Sequence, residues 1–196
     1  MMFTTNKKRG LILLSVIISA LLCLVGAFML SPQKTAAIAE DGDPLLPDTH
    51  AHTIAYTSGN LTADGSYYLN GNATGGITVT GNVTLCLNGH NISGGYSVIT
   101  VADGGTLTLC DCQGTGKITG CDNMSMSGGG GVHVNSGGAF VMSSGKISGN
   151  EVRTAAGGGV FVENNASFTM TGGEISGNNA MWGGGGVHVD GGTFTM

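Results

Sequence analysis

Near its C-terminus the chain writes one pattern three times. Gly128-Gly129-Gly130-Gly131-Val132-His133-Val134 returns as Gly157-Gly158-Gly159-Val160-Phe161-Val162, then as Gly183-Gly184-Gly185-Gly186-Val187-His188-Val189. The copies lie 28 residues apart from Val132 to Val160 and 27 from Val160 to Val187. Later parts keep step. Phe140-Val141-Met142 recurs as Phe168-Thr169-Met170 and Phe194-Thr195-Met196, and Ile147-Ser148-Gly149-Asn150 as Ile175-Ser176-Gly177-Asn178. A fixed period of this size marks stacked units, none of which buries a core alone.

Each unit contains three short runs in which apolar residues alternate with others, the spacing of a half-buried strand. Val132 and Val134 share a face, as do Phe140 and Met142, and Ile147 points away from Lys146 and Ser148. Helix is excluded: there is no 3.6-residue apolar stripe, and 20 of the last 69 residues are glycine, each costing about 1 kcal/mol in a helix interior. The breaks at Asn135-Ser136-Gly137-Gly138 and Ser143-Ser144-Gly145 are turn chemistry.

Stacked coil upon coil, such units pair every strand with the coil above and below, and their inward residues form columns. The predicted columns are Val132/Val160/Val187, Phe140/Phe168/Phe194, Met142/Met170/Met196 and Ile147/Ile175. A propeller blade needs a longer period and four strands. The sequence therefore predicts an all-β, right-handed, single-stranded parallel β-helix with three short strands per coil, the hand following from parallel crossovers. Upstream, Val83-Thr84-Leu85 with Ile92 and Leu107-Thr108-Leu109 with Ile118 follow the same grammar, with first strands at Ile77-Thr78-Val79 and Ile99-Thr100-Val101. Five coils thus start near residues 77, 99, 132, 160 and 187, with residues 121–127 expected to bulge out as a loop. The domain reading is residues 1–39 as a signal peptide or membrane anchor, 40–49 as a linker, 50–76 as an N-terminal cap and 77–196 as coils, the last incomplete. A cap is expected because an open solenoid end is a bare sheet edge.

The address comes from the N-terminus. Lys7, Lys8 and Arg9 precede an apolar run over residues 11–30, and Ala37-Ile38-Ala39 offers a small-x-small cleavage site. This is an export signal, long enough also to serve as a span if uncleaved. A membrane is expected to be met only through that segment. Beyond residue 39 only Lys117, Lys146 and Arg153 are basic, against all twelve acids. No basic stripe exists for nucleic acid.

The exported part carries Cys86, Cys110, Cys112 and Cys121. Alignment of the coils places Cys86 and Cys110 at one column position, at a separation a disulfide accepts. A disulfide between them and a column of thiols packed as small apolar groups both fit. A metal site is not predicted: Cys110-x-Cys112 is tighter than the usual spacing for zinc and no histidine lies near it in sequence. No cofactor is predicted.

Four stretches carry a family resemblance: Leu85-Cys86-Leu87-Asn88-Gly89-His90-Asn91-Ile92; Val98-Ile99-Thr100-Val101-Ala102-Asp103-Gly104-Gly105-Thr106-Leu107-Thr108-Leu109; Gly116-Lys117-Ile118-Thr119-Gly120; and the Gly-Gly-Gly-Val-x-Val and Ile-Ser-Gly-Asn repeats. Together they resemble the exported right-handed β-helix proteins of Gram-positive, often gut-dwelling, bacteria. The repeats are also similar to polymorphic outer-membrane-protein repeats and to pectate-lyase-like folds. The resemblance covers about residues 50–196. It implies a secreted or cell-surface location, adhesion or glycan contact, and host or bacterial glycans or surface proteins as partners. It supplies no catalytic residues. Members usually continue through further repeats to a wall anchor, so a chain stopping at Met196 is expected to be a truncated product or fragment.

The candidate binding residues are His133, Phe161 and His188, each between two inward valines and so expected to face outward on successive coils about 4.8 Å apart. Two coils separate the histidines, too far for a shared zinc. The column is either an aromatic shelf for a sugar ring or a ladder shielding the sheet. Asn150 and Asn178 are expected to stack as hydrogen-bonded amides. Trp182, the only tryptophan, either covers a turn or serves as a sugar platform. The enzymatic alternative is a polysaccharide lyase or a glycosidase, which would need two facing carboxylates. Glu163 and Asp190, at nearly matching points on adjacent coils, are the best acid pair. The favoured function is a structural or adhesive surface module rather than an enzyme.

Overall fold

A computed structural model describes residues 52–124 and 128–196. The signal or anchor at 1–39, the linker at 40–49, the first two residues of the expected cap and the last three of the expected 121–127 loop lie outside the described residues.

The chain is a right-handed parallel β-helix. Each strand of the repeat builds its own sheet by pairing with the same strand one coil away. The first face contains Ile77–Val79, Ile99–Val101, Val132–Val134, Val160–Val162 and Val187–Val189, so all five predicted coil starts are present. The second face is the largest, with seven strands from Ile54–Tyr56 to Thr193–Thr195. The third carries Lys117–Thr119, Lys146–Ser148 and Glu174–Ser176 with two earlier strands. Among the described residues no helix is long and apolar enough to cross a membrane.

The columns follow the sequence pattern except at Met196, which lies beyond the last strand and is 90 % exposed instead of extending the methionine column. Val132 pairs with Val160 and Val160 with Val187, Phe140 with Phe168 and Phe168 with Phe194, Met142 with Met170, and Ile147 with Ile175. The three phenylalanine rings stack at 4.8 Å, at interplanar angles of 11° and 15°. Leu107 and Val83 continue that column upstream. Burying these columns supplies the core that one coil lacks, at roughly 25 cal/mol per Å² of apolar surface removed from water.

Two features depart from the three-strand reading. A fourth sheet joins Asp122–Asn123, Glu151–Val152 and Asn179–Ala180. These strands are only two residues long, too short to show an alternation. Consequently residues 121–123 are not part of a bulge: Cys121 is buried and Asp122 pairs with Glu151. The segment ahead of residue 77 also pairs in register with the coils. Gly65–Leu69 lies beside Asn82–Cys86, Ala73–Thr74 beside Asn91–Ser93, and Leu61 bridges to Val79. It presents all three faces of a coil, with Ile54–Tyr56 stacked beyond.

The corner after the third strand is held by amides. Asn178 Oδ1 accepts from the backbone N–H of Asn150 at 3.1 Å and from its Nδ2 at 2.9 Å. Asn150 Oδ1 accepts from the N–H of Cys121 at 3.2 Å. Asn150 is buried, so these bonds satisfy groups that water does not reach. The expected stacked-amide role is what the structure contains.

Candidate functional site

The expected aromatic column exists in register. His133 pairs with Phe161 and Phe161 with His188, with Thr100 and Thr78 continuing it upstream. Both ring pairs have centroids 5.3 Å apart, edge-on for His133–Phe161 and stacked for Phe161–His188. The column points away from the core, as alternation requires, but it is not an open shelf. His133 is only 9 % exposed, and Phe161 and His188 are half-buried.

Two covers account for this. The glycine arm before each strand folds back over the ring that follows: a Cβ on Gly129 would lie 2.6 Å from the Cβ of His133, and one on Gly157 2.7 Å from the Cβ of Phe161. Both glycines have positive φ, +81° and +74°, which side-chain-bearing residues rarely adopt. The second cover is Glu163. Its Oε1 lies 2.9 Å from His133 Nε2, and its Oε2 accepts from the Ser136 N–H at 2.9 Å. Glu163 is therefore engaged with His133 and Ser136, while Asp190, the other half of the suggested acid pair, is exposed.

Trp182 does not cover a turn. It is 70 % exposed, beside Met181 at 67 %. Its backbone is nonetheless fixed, because the N–H of Met181 donates to Val152 O at 2.9 Å and that of Trp182 to Ala155 O at 3.2 Å. Met124, Arg153 and Met181 follow the three two-residue strands at matching positions on successive coils, and Met124 is also exposed. Arg153 is held among them by Asp122 Oδ1 at 2.9 Å and Glu151 Oε2 at 3.2 Å. An apolar, partly cationic corner thus stands on rigid backbone.

The cysteines sit where the coil alignment places them, and of the two arrangements left open it is the free thiols that are present. Cys86 and Cys110 do sit side by side in the ladder, but no disulfide joins them. Cys110 Sγ lies 3.6 Å from Leu85 O, and Cys86 Sγ lies 3.3 Å from Cys112 Sγ. His52, sixty residues from Cys112 in sequence, brings its Nε2 to 3.5 Å from that sulfur. Hydrogen bonding from Cys110 pulls the Cys86 thiol down to about 4 against its burial, with Cys112 and His52 acting in the same direction. Cys121 is the opposite case: burial, with the Asp122 carboxylate, pushes it up to about 11.

His52, Cys112 and Glu163 as the partner of His133 were not singled out as site residues from sequence. Only the register of the coils brings them to these positions. No family model, curated protein or solved structure matches the chain.

Proposed function

We propose that this chain is an exported structural or adhesive β-helix module of the cell surface, and that it meets its partner, a host or bacterial glycan or a surface protein, at the Trp182 corner. The observation that carries this is the exposure of Trp182 and Met181 on backbone pinned to the preceding coil. Backbone held in this way has already lost part of the freedom that binding would otherwise remove, and the exposed indole offers a flat face to a sugar ring or an apolar side chain. The resemblance to exported β-helix proteins of Gram-positive bacteria supports the surface location. His133, Phe161 and His188 enter this reading as the shielded ladder that stiffens the neighbouring face, since glycine arms and Glu163 cover them.

The test is binding of the chain to an immobilised panel of host and bacterial wall glycans and surface proteins. Trp182→Ala is expected to weaken a captured interaction at least tenfold while His188→Ser leaves it within about twofold, a size typical of losing one aromatic anchor. Binding unaffected by Trp182→Ala would place the contact elsewhere.

A further inference from the structure

We propose that His52, Cys86 and Cys112 form a site for a thiophilic divalent metal ion, zinc above all, which pins the N-terminal segment to the first coils. The three donor atoms all lie within 4.8 Å of one another. On a tetrahedral zinc, with bonds of about 2.3 Å to sulfur and about 2.0–2.1 Å to nitrogen, two sulfurs stand about 3.8 Å apart and a sulfur and a nitrogen about 3.6 Å. The observed separations are 3.3 Å between the sulfurs and 3.5 Å from Cys112 Sγ to His52 Nε2. A metal would have to open the sulfur pair by only a few tenths of an ångström.

The surroundings also suit a metal. The His52 ring stacks on Tyr68 at 5.0 Å and 11°, and Tyr68 pairs with Cys86 in the sheet, so the imidazole is oriented by the same ladder that positions the first sulfur. The Asn88 amide donates from Nδ2 to Leu69 O at 3.0 Å and places its Oδ1 3.4 Å from Cys112 Sγ. That oxygen, or a water admitted at the exposed His52 side, completes four-coordination. Cys86 is buried, Cys112 half-buried and His52 exposed, so the donors form a graded path from solvent to core. Two sulfurs and one imidazole are the donor set of soft or borderline ions, not of calcium or magnesium. The ligands come from three separate stretches: two residues before the strand Ile54–Tyr56, the end of Asn82–Cys86, and the turn after Thr106–Cys110. One ion would therefore close two long loops at once.

The sulfur pair has a second possible fate, oxidation to a Cys86–Cys112 disulfide, and the test separates the two. The full chain, reduced and metal-free, is titrated anaerobically with Co(II), a spectroscopic stand-in for zinc. The expected result is one equivalent bound with sulfur-to-cobalt charge-transfer absorption, displaced by Zn(II). Cys112→Ser and His52→Ala should each weaken binding at least tenfold, and Cys121→Ser should not. Cys112 and His52 lie at turns and not in the core, so their variants keep the fold, which far-ultraviolet circular dichroism verifies. Zinc should also slow proteolysis at the exposed residues 57–60. Cobalt bound without sulfur absorption, cobalt bound equally by either variant, or no binding by a reduced chain with intact sheet signal would overturn the site. Metal bound without protection from cleavage would overturn the pinning.

Discussion

Phe168→Ala tests the solenoid core most directly. Phe168 is 1 % exposed and lies between Phe140 and Phe194, both rings parallel to it at 4.8 Å. Removing a buried phenylalanine ring costs about 3–5 kcal/mol in transfer and cavity terms. Two stacked pairs, each adding about 0.5–1.5 kcal/mol beyond area, place this site at the upper end. Coils above and below hold the strand through paired backbone, so the cavity has little room to collapse. Phe161→Ala is the internal control. It lies on the same coil, on the outer side of the first face, and is half-buried, so about 1–2 kcal/mol is expected. Urea unfolding followed by far-ultraviolet circular dichroism measures both, with the slope compared because repeat arrays can lose two-state behaviour. A Phe168→Ala loss below about 1 kcal/mol, or one equal to that of Phe161→Ala, would refute the inward assignment of the column.

Asp111 is buried, and its two carboxylate oxygens accept from the N–H groups of Gly89 at 2.7 Å and Gly116 at 2.6 Å. Asp111→Ala should cost about 2–4 kcal/mol in thermal or urea unfolding, and Asp111→Asn, which keeps one acceptor, clearly less. Gly129→Ala forces a side chain into φ +81° and to 2.6 Å from the His133 Cβ, and a loss of about 2–4 kcal/mol is expected by the same measurement. With its thiol pushed up to about 11, Cys121 holds only roughly a thousandth of its population as thiolate at pH 8. Mass-spectrometric mapping of iodoacetamide labelling in the native chain should therefore find Cys121 modified after Cys112, and early labelling of Cys121 would count against its burial.

The core was legible because it is periodic. Once Val132, Val160 and Val187 are aligned, every inward column follows, and the structure pairs them in that register. The fourth sheet was not legible, since two residues cannot display an alternation of period two. For the outward residues the direction was legible, while the choice between an open shelf and a shielded ladder was not. Alternation fixes where the His133 side chain points, but whether a glycine arm or a carboxylate from the next coil lies over it depends on the path of the turn. The thiol cluster was hidden for a different reason. Spacing along the chain detects metal sites whose ligands lie in one loop, whereas here residues 52, 86 and 112 are neighbours only because coils stack.

The same physics explains why both proposed sites sit at corners. Within a coil, the faces are committed: inward side chains fill the columns, and outward ones on the first face are overlaid by glycine arms that must stay side-chain-free. A substitution there disturbs several coils at once, because each strand inside a sheet is hydrogen-bonded on both sides. Residues just beyond a strand carry no such burden. Trp182 follows Asn179–Ala180, Cys112 follows Thr106–Cys110, and His52 precedes Ile54–Tyr56. The Trp182 backbone is still placed by the neighbouring coil, as the bond from its N–H to Ala155 O shows, while none of the three side chains belongs to the inward columns. A rigid stack with variable corners is a scaffold on which binding changes without refolding. If function lies there, exchanging Trp182, Met181 and Met124 together for serine should leave the melting temperature within about 2 °C, less than a 1 kcal/mol loss would produce, while abolishing partner capture. A large fall in melting temperature would instead make the corner part of the fold.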